Sequence, residues 1–180
     1  MRIGVSGAHG TGKTTLIEGL CAHLPDHVPV DEPYLLLEEE GYEFSYPPSP
    51  EDYRAQLKRS VLLLHSPADD IIFDRTPVDF LAYLAVQGHD IAEEAAPYAL
   101  ESVMTGLDIL VVAPITAETE KSLPKAEMPR LRESVNDELL DILHADPLHA
   151  WGELPILELT VPLDRRIDVT LAAMSRAGQS

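Results

Sequence analysis

Apolar residues along the chain fall into five short runs, each bounded by polar or turn-forming residues. The runs are rich in branched side chains, and their near-continuous hydrophobicity predicts parallel strands that are covered on both faces. Pro29 lies inside the second run, and because proline cannot donate a backbone hydrogen bond we expect this strand at a sheet edge. The five predicted strands span residues 1–7, 27–33, 70–75, 107–115 and 154–161.

Between these runs, apolar residues recur at helical spacing. Ser49-Pro50 and Thr76-Pro77 are typical helix starts, and Gly88 is a typical helix end. The predicted helices span residues 13–24, about 49–64, 76–88, a segment from 90 that accommodates Pro97, 132–144 and about 163–176. This alternation predicts a three-layer α/β fold, with a parallel sheet of about five strands and helices on both faces. We expect a single domain over residues 1–180, ending in a three-residue tail.

Charge and composition narrow the possible partners. The chain has 180 residues and a formal net charge of −18, which argues against binding to duplex nucleic acid. It has no signal-peptide pattern and no run of roughly 18 apolar residues, so we expect no membrane association. Cys21 is the single cysteine, which excludes an intramolecular disulfide and suggests a reducing, cytoplasmic location.

The first predicted strand runs directly into GAHGTGKT, residues 7–14, which matches the phosphate-binding pattern G-x-x-x-x-G-K-[ST]. Glycines at these positions let backbone amides turn toward a polyphosphate, and the helix that follows adds its own amides and dipole. We therefore expect ATP to bind at Gly7, Ala8, His9, Gly10, Thr11, Gly12, Lys13, Thr14 and Thr15.

Three residues of this loop have separate expected roles. Lys13 should reach the β- and γ-phosphates and act in catalysis, and the Thr14 hydroxyl should be a ligand of Mg²⁺. His9 stands at a variable position of the pattern, where we expect a side chain that faces solvent rather than a catalytic group.

Among the proteins that carry such a loop, a GTPase would need an N-K-x-D motif. Asn136 is the single asparagine, and Asp137 rather than lysine follows it directly. The sequence therefore disfavours a GTPase. A hexameric motor would need a larger core than 180 residues provide. A compact kinase, in which catalysis depends mostly on positioning and charge stabilisation, fits the length best.

Several segments together resemble the kinase-like proteins often described as AAA family ATPases. They are SGAHGTGKTTLIE, DEPY, FDRTPVDFLAYL, PRLRESVNDEL and PILELTVPLDRR, and the resemblance covers about residues 1–175. Asp74-Arg75 looks like the D/E-R pair of thymidylate and deoxynucleoside kinases. The resemblance implies an ATP- and Mg²⁺-dependent kinase for a small hydroxyl-bearing acceptor that is nucleoside- or nucleotide-like. Thr76 and Val161-Pro162 depart from the family pattern, and the second departure affects expected adenine contacts.

The resemblance also suggests roles for residues at the predicted strand ends. Asp74 would bind Mg²⁺ together with Thr14, or else serve as a turn acid. Arg75 would contact the acceptor or a phosphoryl oxygen, or else form a structural ion pair. Glu32 would accept the proton of the acceptor hydroxyl, with Asp31 as a competitor for that role.

Asp79 is expected to be a first-turn helix acid rather than a ligand. The stretch from Asp26 to Asp52 contains nine acids and no lysine or arginine, and it either shapes the acceptor pocket or forms a solvated loop. It disfavours a highly anionic acceptor, although basic residues on the following helix keep an acceptor phosphate open. These residues are Arg54, Lys58 and Arg59.

A second group of basic residues follows the fourth predicted strand. It comprises Lys121, Lys125, Arg130 and Arg132. We expect a lid over residues 117–132 that brings Arg130 and Arg132 over the triphosphate as catalytic cations, with a solvated charged loop as the alternative.

A different class of function also remains open, namely a nucleotide-binding regulatory module or slow NTPase that acts with a protein partner. The sequence leaves the oligomeric state open, including a homodimer.

Overall fold

The structure is a computed structural model that describes residues 1–121, 123–125 and 127–177. Its strands are β1 (Arg2–Ser6), β2 (Val28–Val30), β3 (Ile71–Asp74), β4 (Ile109–Val112) and β5 (Ile156–Glu158). Its α-helices are α1 (Lys13–His23), α2 (Pro33–Glu39), α3 (Pro50–Leu64), α4 (Pro77–Val86), α5 (Ile91–Ala95), α6 (Leu100–Met104), α7 (Ala117–Glu120), α8 (Pro129–Ala145) and α9 (Arg166–Ala177). Short 3₁₀ turns lie at Ala96–Tyr98 and Leu163–Arg165.

The five strands form one parallel sheet in the order β2-β3-β1-β4-β5. The predicted α/β class and strand number are therefore confirmed. β2 lies at the edge, as the proline at position 29 predicted. β1 lies at the centre between β3 and β4. The segments that follow these three parallel strands therefore lie side by side at the carboxyl ends of the strands.

Helices cover both faces because successive strand residues point to opposite sides. On one face, Phe73 and Leu110 pack in a core with α3, α4 and α8. On the other face, Ile72 and Val111 pack in a smaller core with α1 and α9. This three-layer packing fixes the strand ends from which the functional side chains project. No helix in the described ranges is both long and apolar enough to cross a membrane.

The acidic stretch before α3 is more ordered than a solvated loop. It contains α2, which the sequence did not predict, and it folds back on Asp52, a buried acid in the first turn of α3. The Asp52 carboxylate accepts hydrogen bonds from the Tyr42 hydroxyl and from the backbone amides of Ser45 and Ser49. Tyr34 and Pro48 of this stretch line a cavity together with Glu32 and Arg75, which follow β2 and β3. Ser122, Ala126 and the tail at 178–180 were part of the predictions and lie outside the described residues.

Candidate active site

The loop between β1 and α1 adopts the backbone conformation that its glycines permit. Gly7 has a φ of 151°, and a Cβ atom there would lie 2.7 Å from the carbonyl oxygen of Ala113. Gly12 has a φ of 84° and forms the N-cap of α1. The loop backbone therefore passes close to the end of β4. It leads directly into the first turn of α1, where the backbone amides have no acceptor within the helix.

Lys13 is buried and folds back across the loop. Its Nζ atom donates hydrogen bonds to the carbonyl oxygens of Gly7 and Ala8, both at 2.9 Å. Burial lowers the pKa of Lys13 to about 8. A partly desolvated ammonium group held at the loop is suited to bind an anion, because the anion compensates for the lost hydration.

Asp74 ends β3 beside the loop. Its Oδ1 atom is buried and has no hydrogen-bond partner within the described part of the chain. Burial raises the pKa of Asp74 to about 6. Thr14 is exposed and lines the same cleft as Asp74.

These two side chains fit Mg²⁺, which usually takes one or two protein oxygens and fills its other positions with phosphate oxygens and water. Within the ranges that the structure describes, no group of three or more His, Cys, Asp or Glu side chains forms a cage for a metal. The buried Asp74 Oδ1 atom, which no described residue satisfies with a hydrogen bond, is the observation that favours a cation here.

Arg75 follows directly and has a φ of 72°, a conformation that residues other than glycine rarely adopt. Its Nε atom donates to Glu32 Oε2 at 2.6 Å, and its Nη1 atom donates to the Gly7 carbonyl at 3.3 Å. Burial alone would raise the pKa of Glu32, but the Arg75 guanidinium outweighs it and lowers that pKa below its ordinary value. The ion pair that the sequence left open therefore exists, and Glu32 is held ionised.

Two concave spaces meet at this point. The first, which we call the loop cleft, has a volume of about 510 Å³ and is lined by residues 9–15 together with Glu32, Asp74 and Arg75. The second, which we call the aromatic cavity, has a volume of about 220 Å³ and is lined by rings and apolar side chains, including Tyr53, Phe80 and Tyr83. Three residues line both spaces, namely His9, Glu32 and Arg75.

The structure thus places seven of the nine predicted loop residues on the loop cleft. Gly7 and Ala8 are buried beneath it, where their carbonyl groups hold Lys13. Of the two competing acids after β2, Glu32 faces both spaces, whereas Asp31 is exposed and is not among the described residues that line them.

The expectation that His9 faces solvent is wrong. Its ring is half-buried, its Nδ1 atom lies 3.1 Å from the Tyr83 hydroxyl, and its Nε2 atom is buried. Tyr83 in turn stacks on Tyr53, with ring centroids 4.7 Å apart. Burial and the cations of Arg75 and Lys13 lower the pKa of His9 to about 4. A neutral imidazole therefore lies where the loop cleft meets the aromatic cavity.

The two arginines of the predicted lid, Arg130 and Arg132, lie in different surroundings. Arg132 is buried on α8, and its Nη1 atom donates to the Pro124 carbonyl at 2.9 Å and lies 3.6 Å from the position of a Cβ built on Gly10. Arg130 is exposed in the first turn of α8, and neither arginine is among the described residues that line the two spaces. The structure thus brings only one of the two predicted arginines to the loop.

The basic residues on α3 do not serve the aromatic cavity. Arg54 pairs with Glu94 at 2.6 Å, and Arg59 pairs with Glu40 at 2.6 Å. Neither they nor Lys58 is among the described residues that line this cavity. The idea that they hold an acceptor phosphate receives no support from this arrangement.

Asp79 is a first-turn helix acid, as the sequence predicted, but its contacts extend to the loop. The side chain is fully buried, and its carboxylate accepts hydrogen bonds from Ser6 Oγ at 2.6 Å and from the backbone amide of Gly7 at 2.8 Å. The T-P-x-D capping pattern at Thr76 predicts only where the helix begins. The pairing of β1 with β3, which brings residue 79 to the loop, is a tertiary feature that the pattern does not carry.

The solved structures with a similar fold include a deoxyadenosine kinase and the NadR protein. Deoxyadenosine kinase from M. mycoides with bound dATP superposes with a TM-score of 0.61 and 14% identity, over 97% of this chain and 100% of that chain. The same enzyme with products dCMP and a flexible dCDP bound has a TM-score of 0.65 and 15% identity, over 98% of this chain and 100% of that chain. The NadR protein in complex with NR has a TM-score of 0.63 and 18% identity, over 98% of this chain and 50% of that chain. The chain therefore spans about half the length of the NadR protein. At these identities the similarity establishes the fold, and the resemblance to P-loop kinases of the nucleoside type is confirmed at that level.

None of the curated protein sequences compared with the chain matches it. A family model described as "AAA domain" matches residues 2–150. That range contains the phosphate loop, the acid that ends β3 with the arginine that follows it, and the helix that carries the buried Arg132. The chain belongs to the AAA domain family.

Proposed function

We propose that the protein is an ATP- and Mg²⁺-dependent phosphotransferase that transfers the γ-phosphoryl group to a hydroxyl of a small nucleoside-like acceptor. The observation that carries this proposal is the junction of the two spaces at His9, Glu32 and Arg75. A phosphoryl donor in the loop cleft and a hydroxyl acceptor in the aromatic cavity would meet at a wall that both ligands share. In-line transfer requires such an arrangement.

The residues around the two spaces would divide the work of transfer. The loop amides and Lys13 would hold the polyphosphate, and Asp74 and Thr14 would hold Mg²⁺. Bound Mg²⁺ would offset the charge that develops on the phosphoryl oxygens. Glu32 would orient the acceptor hydroxyl and receive its proton, while Arg75 holds Glu32 in place. Arg132 would balance charge from the side of α8.

The aromatic cavity favours an acceptor without a phosphate group of its own. Among the described residues that line it, Arg75 is the one arginine or lysine, and it is already paired with Glu32. An acceptor phosphate would face that carboxylate and would lack a free cation. Stacked rings and the Gln56 amide at the cavity wall instead suit a planar heterocycle with hydrogen-bonding edges. We therefore favour a nucleoside over a nucleotide.

A panel of nucleosides, nucleotides and sugars tests this proposal directly. ADP release is measured by a coupled assay for each compound with MgATP, and mass spectrometry of the same mixtures detects a product heavier by one phosphoryl group. We expect one nucleoside to yield ADP and phosphorylated product in equal amounts, and its 5′-phosphate to be inactive. Lys13→Ala is the matched control, because it removes the buried ammonium at the loop and should abolish both signals.

ATP turnover that is independent of every acceptor, with no phosphorylated product, would overturn the kinase proposal. The loop would then serve a regulatory module or slow NTPase. A search for a protein that binds only in the presence of ATP would follow from that outcome.

A further inference from the structure

Arg166 is the first residue of α9 and is only 1% exposed, which makes it the bulkiest fully buried side chain in the described ranges. Its Nη1 atom donates to the Thr11 carbonyl at 2.7 Å, and its Nη2 atom donates to the Pro114 carbonyl at 3.2 Å. One guanidinium group thus joins the phosphate loop, the segment after β4 and the last helix. Arg166 and its partner Thr11 are 155 positions apart in the chain.

This cation is buried, and the described residues provide it with no counter-charge. No carboxylate in the described part of the chain forms an ion pair with Arg166, and its Nε atom has no hydrogen-bond partner there. Burial lowers the pKa of Arg166 below its ordinary value, in keeping with a desolvated, uncompensated charge. Such a group is costly for a fold that has no use for it, because an apolar side chain of similar size would avoid the desolvation.

The position of the Arg166 guanidinium indicates how it can act on the phosphate loop. The Thr11 carbonyl that it holds belongs to the same peptide plane as the Gly12 amide, and in a trans peptide the C=O and N–H groups point in opposite directions. Fixing the carbonyl toward Arg166 therefore turns the amide of Gly12 away from the protein interior. A Cβ built on Gly12 would lie 3.9 Å from Nη1, so the guanidinium lies directly beneath the loop.

We propose that Arg166 is a positioning residue of the phosphate loop, one that aligns the Thr11–Gly12 peptide and lends a buried positive charge that bound polyphosphate neutralises. This inference rests on the loop binding a nucleoside triphosphate, as the proposed function requires. It adds a cationic contribution from α9 that lies outside the loop pattern. Lys13 holds the loop from the cleft, and Arg166 holds it from the interior.

The test compares Arg166→Met and Arg166→Lys with Arg165→Met, which removes the exposed arginine of the preceding residue. Calorimetry measures the Kd for MgATP and for magnesium tripolyphosphate, which carries the phosphates without base or sugar. Because hydrogen bonds from a charged group are being removed, we expect Arg166→Met to bind both probes about 10- to 100-fold more weakly. Arg166→Lys keeps the charge but loses the fork of donors, so its affinities should be intermediate. Arg165→Met should bind as the wild type does.

Equal MgATP affinity in folded Arg166→Met and wild type would overturn the inference. A loss confined to MgATP, with tripolyphosphate affinity unchanged, would also overturn it, because Arg166 would then act on the base or sugar. Should Arg166→Met fail to fold, Arg166→Lys decides: wild-type affinity for both probes contradicts the aligning role, and weaker binding of both supports it. Wild-type protein that binds neither MgATP nor tripolyphosphate would instead refute the proposed function itself.

Discussion

The carboxylate of Asp79 accepts a hydrogen bond from the backbone amide of Gly7 at 2.8 Å and so fastens the start of the phosphate loop to helix α4. The same carboxylate accepts hydrogen bonds from Ser6 Oγ and from the backbone amide of Thr76. Arg75 Nη1 lies 3.6 Å from its Oδ1 atom. The loop is therefore positioned by an acid that does not belong to the loop pattern and that has no exposure to solvent.

The first prediction concerns Asp79→Asn. Oδ1 faces the Gly7 amide and Oδ2 faces the Thr76 amide, so an asparagine NH₂ group placed at either position meets a backbone donor. We expect the free energy of unfolding to fall by about 1–3 kcal/mol, because one buried donor loses its acceptor. MgATP affinity should fall with it, because the loop loses an anchor. Urea unfolding and calorimetry measure the two effects.

Asp90→Asn is the matched control, since Asp90 caps α5 at an exposed position and accepts hydrogen bonds from Ala92 and Glu93. It should leave MgATP affinity unchanged. If Asp79→Asn bound MgATP as tightly as the wild type, the carboxylate would be a helix cap with no influence on the loop.

The second prediction concerns pH and His9. An unperturbed imidazole takes up a proton near pH 6.5, whereas His9 in the folded protein does so near pH 4. Between these values the unfolded state binds more protons, so the free energy of unfolding decreases as the pH is lowered. For a half-buried ring we expect this contribution to be about 1–3 kcal/mol between pH 7 and pH 4.

Urea unfolding at several pH values between 7 and 4 measures the effect. His9→Gln cannot titrate, and its free energy of unfolding should therefore depend less on pH than that of the wild type. His65→Gln, at an exposed position on the C-cap of α3, is the control and should follow the wild type. Identical pH profiles for His9→Gln and the wild type would show that His9 titrates normally in the folded protein.

The sequence predicted the parts of the molecule that follow local rules. The loop pattern predicted a glycine-dependent turn between β1 and α1, and Pro29 predicted an edge strand, because both depend on backbone geometry at a few consecutive residues. His9 was misjudged because its burial depends on Tyr83, which lies 74 positions away and reaches the loop through α4. Arg166 was not identified for the same reason, since its partner Thr11 lies at the other end of the chain. Long-range pairings of this kind leave no periodic signal in a single sequence.

The third prediction separates Glu32 from Asp31. Glu32 lies at the junction of the two spaces, so Glu32→Gln should lower kcat by about 100- to 10,000-fold if it receives the acceptor proton. Affinity for MgATP should change little, because the donor is held by the loop. Steady-state kinetics with the acceptor found in the panel, together with MgATP calorimetry, measures both quantities.

Asp31→Asn serves as the comparison for that measurement. Asp31 is the exposed neighbour of Glu32, and its substitution should leave kcat near the wild-type value. A loss of activity in Asp31→Asn with normal activity in Glu32→Gln would reverse the assignment of the acceptor-orienting acid.

The fourth prediction contrasts the two arginines of α8. Arg132 is buried between the Pro124 carbonyl and Gly10 of the loop, so Arg132→Met removes a cation that lies against the loop from α8. We expect kcat to fall by about 100- to 1,000-fold, the range for loss of one preorganised donor to a developing negative charge. Arg130 is exposed two residues earlier, and Arg130→Met should change kcat by less than about threefold, as surface substitutions usually do. Single-turnover measurement of phosphoryl transfer separates chemistry from product release. Equal losses in both variants would indicate that the segment acts through its overall charge, whereas a loss in Arg132→Met alone assigns the effect to the arginine of α8 that the fold holds against Gly10.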